Sequence, residues 1–330
     1  RTHAIHAKII GTGWSKIIVL TETQKQFIEI KSRTLHAVRD FFWARKYTEV
    51  DTPIAALIPG QEPYLEPVPV ELVNDKGRSS QFYLLTSPEY AMKKLLGAGF
   101  ERIFQITHSF RNRESFGGTH QPEFMMMEWY RTGADLWSLM DETQELVLSV
   151  ASVVRYEAQK FPNPKRYSMK ELFLKYAGID LDKTMDSGKM MEDEFFNVFL
   201  NKIEPELNKG ENAGRPIFVY GYPANLAALS VIDEKDPRYA LRFELYWNGL
   251  EIANAFQELT DPIEQRARFE DEQQIRTVRG GAPFPIDEEL LEALPRMQNP
   301  TSGIALGIDR LIMAALGKQN ITEVLPFPFI

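Results

Sequence analysis

Phe243-Glu244-Leu245-Tyr246-Trp247-Asn248-Gly249-Leu250-Glu251-Ile252-Ala253-Asn254 reads as two strands joined by an Asn-Gly pair. Asn and Gly tolerate the left-handed backbone of a two-residue type I′ turn, so the pair predicts a β-hairpin. Tyr246 then faces Glu251, which puts Glu244 and Glu251 diagonally on one face. Two carboxylates without a histidine suit Mg2+, which takes oxygen ligands and keeps waters and substrate phosphates in its shell. The same spacing equally describes two solvated acids on an exposed hairpin. Strict alternation would turn Asn254, Phe256 and Glu258 to the face opposite Glu251. For all of them to line one site, a β-bulge is required near Ile252 or Ala253.

Around this hairpin, strand patterns recur at 81–86, 102–110, 123–131 and 217–222, besides 242–247 and 250–256. Irregular spacing of this kind suits a mostly antiparallel sheet. Helical spacing marks 24–45, where Phe27, Ile28, Leu35, Val38, Phe41 and Phe42 share one side. Shorter helical patterns fall at 88–96, 136–160, 169–176, 192–202, 262–279, 288–294 and 307–315. Turns are expected up to Pro69, and the charged, glycine-containing stretch 202–216 is expected to be a surface loop. Residues 1–20 suggest a short N-terminal arm or hairpin around Gly11-Thr12-Gly13. With no repeat, low-complexity tract or Pro/Ser linker, residues 21–330 are expected to form one α+β domain, a mostly antiparallel sheet flanked by helices.

A hydrophobic fraction of 44% excludes global disorder. The net charge of -8 has the wrong sign for a broad nucleic-acid-binding face. Without cysteine there is no disulfide, thiolate nucleophile or Cys-ligated metal. Five histidines at 3, 6, 36, 108 and 120 form no His-Glu-x-x-His pair, and neither a P-loop nor a Gly-x-Gly-x-x-Gly loop occurs. No stretch approaches the roughly 20 apolar residues of a membrane span, and no charged-then-apolar leader opens the chain. A cytoplasmic protein without a membrane partner is expected.

Two further segments carry chemistry. Within 123–131, alternation places Phe124, Met126, Glu128 and Tyr130 on one face and Met125, Met127 and Trp129 on the other. If the second set packs on core helices, the Glu128 face borders a cavity or solvent. Read alone, Glu128 is also an ordinary surface carboxylate. Phe110-Arg111-Asn112 and His120-Gln121-Pro122-Glu123-Phe124 would bring an arginine, a histidine and a ring together. That group suits a nucleotide, because a guanidinium pairs with phosphate and a ring stacks on a base. Gly303-Ile304-Ala305-Leu306-Gly307-Ile308-Asp309-Arg310-Leu311 reads as a glycine-punctuated strand followed by a helix. Arg310 in its first turns can hold a phosphate or cover a base, or it can simply pair with Asp309.

Together these segments resemble the signature motifs of class II aminoacyl-tRNA synthetases. Tyr47-Thr48-Glu49-Val50-Asp51-Thr52-Pro53 resembles motif 1, which builds the dimer interface and ends in proline. Phe110-Arg111 through Glu128 resembles motif 2, and Gly303 through Arg310 resembles motif 3. The lysyl branch matches through Thr86-Ser87-Pro88-Glu89-Tyr90, His120 to Phe124 and Glu251 to Leu259, and the resemblance covers roughly residues 24–328. Lysyl-tRNA synthetases carry an anticodon-binding domain ahead of this region, for which residues 1–20 leave no room. That layout resembles the paralogues that attach (R)-β-lysine to a lysine of translation elongation factor P. So do Glu128-Trp129-Tyr130-Arg131, Glu258-Leu259-Thr260-Asp261 and Ser302 to Gly307. Ala305 bears on the choice, since lysyl-tRNA synthetases usually have glycine there and the modifying enzymes alanine.

The resemblance implies a homodimeric ligase that uses ATP and Mg2+. Its substrate is (R)-β-lysine or lysine, and its acceptor is elongation factor P rather than tRNA. By position it implies that Arg111 binds the α-phosphate and the substrate carboxylate, and that Phe124 stacks under adenine. Arg310 covers the other face and touches the γ-phosphate, His120 supports the phosphates, and Glu114 takes the place of the adenine-binding acid. Glu244 and Glu251 hold Mg2+, and Glu89 and Asn254 bind the amino acid end of the substrate. Glu128, Tyr130 and Glu258 surround the terminal ammonium, with Phe256 as an apolar wall. Catalysis then rests on Arg111, Arg310 and Glu251. A buried ammonium does need compensating carboxylates and hydrogen bonds. Departures are a motif 2 loop one residue longer, with Arg113 where glutamate is common, and Met125 in place of threonine. Ala255 is synthetase-like, which leaves α-lysine possible as the substrate; the alternatives are a lysyl-tRNA synthetase-like enzyme acting on tRNA or another amine, and a non-catalytic paralogue.

Overall fold

The computed structural model describes residues 20–155, 162–186, 192–226 and 229–329. The expected N-terminal arm, all but its residue 20, and the end of the helix expected to reach 160 lie outside the described residues. Helix α1 (Glu22–Ala44) starts with a capping box: Thr21 accepts from the Gln24 N–H while the Gln24 side chain accepts from Thr21. Its apolar stripe buries Val38, Phe41 and Phe42. Strand β1 (Thr48–Glu49) follows and pairs parallel with β5 (Arg102–Phe110).

Between them β2 (Ala55–Ala56), β3 (Val68–Val73) and β4 (Ser79–Leu84) form a small antiparallel sheet in the order β2-β4-β3, and α2 (Glu89–Gly97) leads into β5. The turns expected up to Pro69 therefore give way to strand at Val68. β3 is mostly exposed and interrupted by Pro69, so it lacks the alternating apolar signal of a strand.

The main sheet continues with β6 (Glu123–Thr132) and, after α3 (Leu136–Arg155), with β7 (Lys165–Ser168). α4 (Met169–Leu172), α5 (Leu181–Asp186) and α6 (Glu192–Val198) come next, α4 and α6 running on as π-turns at 173–177 and 199–203. The expected surface loop at 202–216 instead holds 3-10 turns at Glu204–Asn208 and Gly210–Asn212, which bury Leu207 and Asn212. Then follow β8 (Pro216–Pro223), β9 (Tyr239–Trp247), β10 (Leu250–Gln257), α7 (Pro262–Val278), α8 (Glu288–Ala293), β11 (Thr301–Gly307) and α9 (Ile308–Leu316).

The eight-stranded sheet has the order β1-β5-β6-β11-β10-β9-β8-β7, antiparallel except at its two edge pairs. The α+β expectation holds. α1, α3 and α9 cover one face, where Phe42, Phe104, Met127, Trp129, Leu306 and Ile312 share a core. Each such large side chain contributes roughly 1.5–3 kcal/mol by leaving water. A second cluster packs Phe173, Phe195 and Phe199 against Ile217, Val219 and Tyr246. The other face of the central strands is left open for a site, bordered by α2 and α8 through Met92, Leu96, Leu290 and Leu291. No helix among the described residues is long and apolar enough to cross a membrane.

Candidate active site

The β9–β10 hairpin turns at Asn248 (φ 53) and Gly249 (φ 78), the left-handed pair a type I′ turn needs. Glu251 sits opposite Tyr246, and the register then shifts between Glu251 and Ala253. Beyond this bulge Asn254 pairs with Glu244 and Phe256 with Arg242. One extra residue thereby returns Asn254 and Phe256 to the face of Glu244 and Glu251, as the site requires.

β11 lies between β10 and β6, so residues from three strands make one floor. Ala305 is in register with Asn254 on one side and Glu128 on the other; Gly303 is in register with Phe256 and Tyr130. A Cβ on Gly303 would lie 2.2 Å from a Tyr130 ring carbon and 2.4 Å from Glu258 Oε1. Only glycine lets those two side chains meet over this strand.

Glu128 and Glu258 are each 1% exposed. Met127 and Trp129 occupy the helix-covered core, so Glu128 and Tyr130 turn to the opposite face of the sheet, where they too are buried instead of meeting open solvent. Ser87 Oγ donates to Glu128 Oε1 at 2.6 Å and the Tyr130 hydroxyl to Oε2 at 2.8 Å. Lys93, fully buried on α2, lies 2.5 Å from Glu89 Oε1 and 2.6 Å from Glu258 Oε2. The other Glu258 oxygen has no hydrogen-bond partner. Burial, followed by Glu89, pushes the Glu128 carboxyl up to about 8. Burial also pushes Glu258 up to about 7 although Lys93 opposes it. Burial works to lower Lys93, but Glu258 and Glu89 hold it above its ordinary value. The pocket thus has more acid than its one ammonium compensates, the condition in which a cationic ligand binds best.

Beyond Asn254 a cleft of about 200 Å3 is lined by Arg111, Glu114, His120, Phe124, Glu251, Asn254, Ala305 and Arg310. The Arg111 guanidinium carbon is 5.1 Å from the Phe124 ring centroid, and its buried Nε has no partner. Arg310, in the first turn of α9, donates to the Glu251 carbonyl at 3.1 Å and to the Thr119 carbonyl at 3.3 Å. Its Nη2 is 3.0 Å from His120 Nε2. Burial and then Arg310 lower the His120 pKa, which favours a neutral ring that accepts from Arg310. Glu114 stands 3.9 Å from His120. Asp309 does not pair with Arg310. It binds Lys31 at 2.7 Å and the Met125 N–H at 2.9 Å, tying α9 to α1 and β6 and leaving Arg310 to the cleft.

The two hairpin acids differ in their freedom. Glu244 meets Arg242 at 2.5 Å and accepts from the Tyr222 and Tyr246 hydroxyls at 2.6 and 2.5 Å. Among the described residues Glu251 has only Arg310 as an ion-pair partner, at 4.0 Å, and burial followed by Glu244 pushes it up to about 7. A divalent cation fits this pair, because it would relieve their mutual repulsion. Among the described residues no three His, Cys, Asp or Glu side chains are placed to hold a metal ion together, so the rest of its shell falls to water and phosphate oxygens.

Sequence reasoning missed Lys93 and Arg242, and it offered Asp309 only as a partner for Arg310. Lys93 stands four residues after Glu89 on a helix, a spacing that pairs side chains, but nothing local shows that this helix face is buried. Arg242 shares the face of Glu244 two residues on, and it also holds Asn254 Oδ1 at 3.1 Å.

The chain matches the family described as tRNA synthetases class II (D, K and N) over residues 15–330. It is also 38% identical over 307 residues to a protein of Edwardsiella ictaluri (strain 93-146) named elongation factor P–(R)-β-lysine ligase. That similarity spans 90% of this chain and 93% of the relative.

Proposed function

The chain belongs to the class II tRNA synthetases of the D, K and N group, and from that premise we propose an ATP-dependent ligase that joins (R)-β-lysine to a lysine side chain of elongation factor P. The observation that carries the substrate is the buried cluster of Glu128, Tyr130 and Glu258 with its unpartnered Glu258 oxygen; Glu128 is in register with Ala305, which lines the cleft that holds two arginines. The relative's name, over 90% of the chain, points to the same acceptor and amino acid.

In this reading Glu128, Tyr130 and Glu258 receive the terminal ammonium, and Phe256 walls its methylenes. Glu89 and Asn254 bind the amino acid end beside Ala305. Arg111 holds the substrate carboxylate and the α-phosphate, Phe124 stacks under adenine, and Arg310 lies over the other face toward the γ-phosphate. His120 and Glu114 complete the nucleotide's contacts. A carboxylate oxygen attacks the α-phosphorus, the α–β phosphoanhydride bond breaks, and pyrophosphate leaves. The acceptor amine then attacks the acyl carbon; AMP leaves and the amine gives up a proton as the amide forms. Arg111 and Arg310, fixed by the fold before substrate arrives, meet charge as it develops on phosphate oxygens. Mg2+ on Glu244 and Glu251 would supply further charge neutralisation there.

A homodimer is proposed through α1 and β1. β1 is an edge strand, and Trp43, Ile54 and Leu57 around it are 52%, 46% and 61% exposed. A translation factor as acceptor places the enzyme in the cytoplasm. Incubating elongation factor P with the enzyme, ATP, Mg2+ and (R)-β-lysine tests the reading. Intact mass should rise by one β-lysyl group in an ATP-dependent way, and an enzyme that activates the amino acid without modifying the factor contradicts the acceptor.

A further inference from the structure

Beside the ammonium pocket a second cavity, about 80 Å3, is lined by Gly60, Glu62, Ser87, Glu89 and Tyr90. None of the roles above uses Glu62. Its loop is fastened in place: the Gln61 N–H donates to the Tyr90 hydroxyl at 3.1 Å and the Gln61 side chain to the Pro285 carbonyl at 2.7 Å. The Glu62 carboxylate folds back over Gly60, where a Cβ would lie 2.2 Å from Oε2. Glycine at 60 therefore makes room for the acid.

Among the described residues Glu62 has no ion pair. Lys93 is committed to Glu89 and Glu258, and Glu89, nine-tenths buried against the same cavity, has no charged partner besides Lys93. Glu89 and Glu258 thus share one ammonium, while among the described residues Glu62 and Glu128 have no ion pair of their own. Burial and then Glu89 raise the Glu62 pKa, while Arg111 and Lys93 both lower it, so Glu62 feels the two ends of the site.

A diamino acid brings two ammonium groups, and Glu128 with Glu258 takes one. We propose that Glu62, together with Glu89, receives the second ammonium, and that its place on the wall selects an amine at C3 over one at C2. With the carboxylate at Arg111 and the terminal ammonium at Glu258, a C3 amine sits one bond, about 1.5 Å, further from Arg111 than a C2 amine. At the C2 end the acceptor oxygen of Asn254 is already engaged by Arg242, and Ala305 narrows the floor with its methyl. The inference rests on the proposed β-lysine reading.

Glu62→Gln and Glu62→Asp test it, with dissociation constants measured by calorimetry on the full chain for (R)-β-lysine, L-α-lysine and 6-aminohexanoate, which lacks the second amine. Wild type should prefer (R)-β-lysine. Glu62→Gln should weaken (R)-β-lysine by about tenfold or more, with recovery in Glu62→Asp, and leave 6-aminohexanoate within about twofold. Its melting temperature should not fall, because an uncompensated acid has been removed. Equal losses for the two ligands, or no loss, overturn this inference alone, provided wild type prefers β-lysine. A wild type without that preference overturns the substrate reading and the inference with it.

Discussion

Replacing Lys93 with methionine keeps the length and apolar stem of the side chain and removes the charge between Glu89 and Glu258. The ion pairs that vanish measure 2.5 and 2.6 Å, and neither Lys93 nor Glu258 is more than 1% exposed. Removing one partner of a buried ion pair costs about 3–5 kcal/mol, chiefly because the remaining charge is stranded. For 330 residues the unfolding entropy is about 0.7 kcal/mol/K, so the melting temperature should drop by about 4–7 °C at pH 8. The drop must depend on pH. Lys93, raised by its partners, stays charged from pH 5 to 8, whereas Glu258, at about 7, is mostly protonated at the acid end. At pH 5.5 the stranded carboxylate takes up a proton, and the deficit should fall below half its value at pH 8. Differential scanning calorimetry of both proteins at the two pH values reads this out. A deficit at pH 5.5 as large as at pH 8, or none at either, refutes the assignment of Lys93 as the counterion of the pocket.

Glu258→Gln should weaken activation of lysine-type substrates by about a hundredfold while changing the ATP dissociation constant less than about threefold; equal losses would contradict the ammonium assignment. Ala305→Gly should shift the ratio of specificity constants from (R)-β-lysine toward L-α-lysine, because Ala305 lies in register between Asn254 and Glu128. An unchanged ratio removes its methyl as a determinant. Glu128 and Glu258, at about 8 and about 7, hold protons that the unfolded chain has released, so stability of the free protein should fall as pH rises from 5 to 8. A bound ammonium favours the charged acids. Ligand binding at pH 7 should therefore release protons, seen as a calorimetric enthalpy that depends on the buffer; a buffer-independent enthalpy would count against the shifts.

Local chemistry decided what the sequence could reveal. The Asn248-Gly249 turn fixed the hairpin register, and the residue count from Glu251 to Glu258 demanded the bulge found between Glu251 and Ala253. Alternation in 123–131 separated Met127 and Trp129, now in the core, from Glu128 and Tyr130 in the pocket. Motif resemblance named the remaining residues, and the fold sets Arg111, His120, Phe124, Glu251 and Arg310 around one cleft and Glu89 on a second cavity. Strand β7, Lys165–Ser168, escaped because four residues with three polar side chains carry no alternating apolar signal. The π-turns that extend α4 and α6 have no sequence period of their own. Lys93 and Asp309 were illegible for a tertiary reason, since their partners, Glu258 and Lys31, lie on elements distant in sequence.

ATP–pyrophosphate exchange with the purified protein, comparing (R)-β-lysine with L-α-lysine at equal concentrations, needs no acceptor and bears directly on the adenylate-forming step. Faster exchange with (R)-β-lysine is the expected result. Faster exchange with L-α-lysine contradicts the substrate, and no exchange with either contradicts the activation chemistry assigned to Arg111, Arg310 and Glu251.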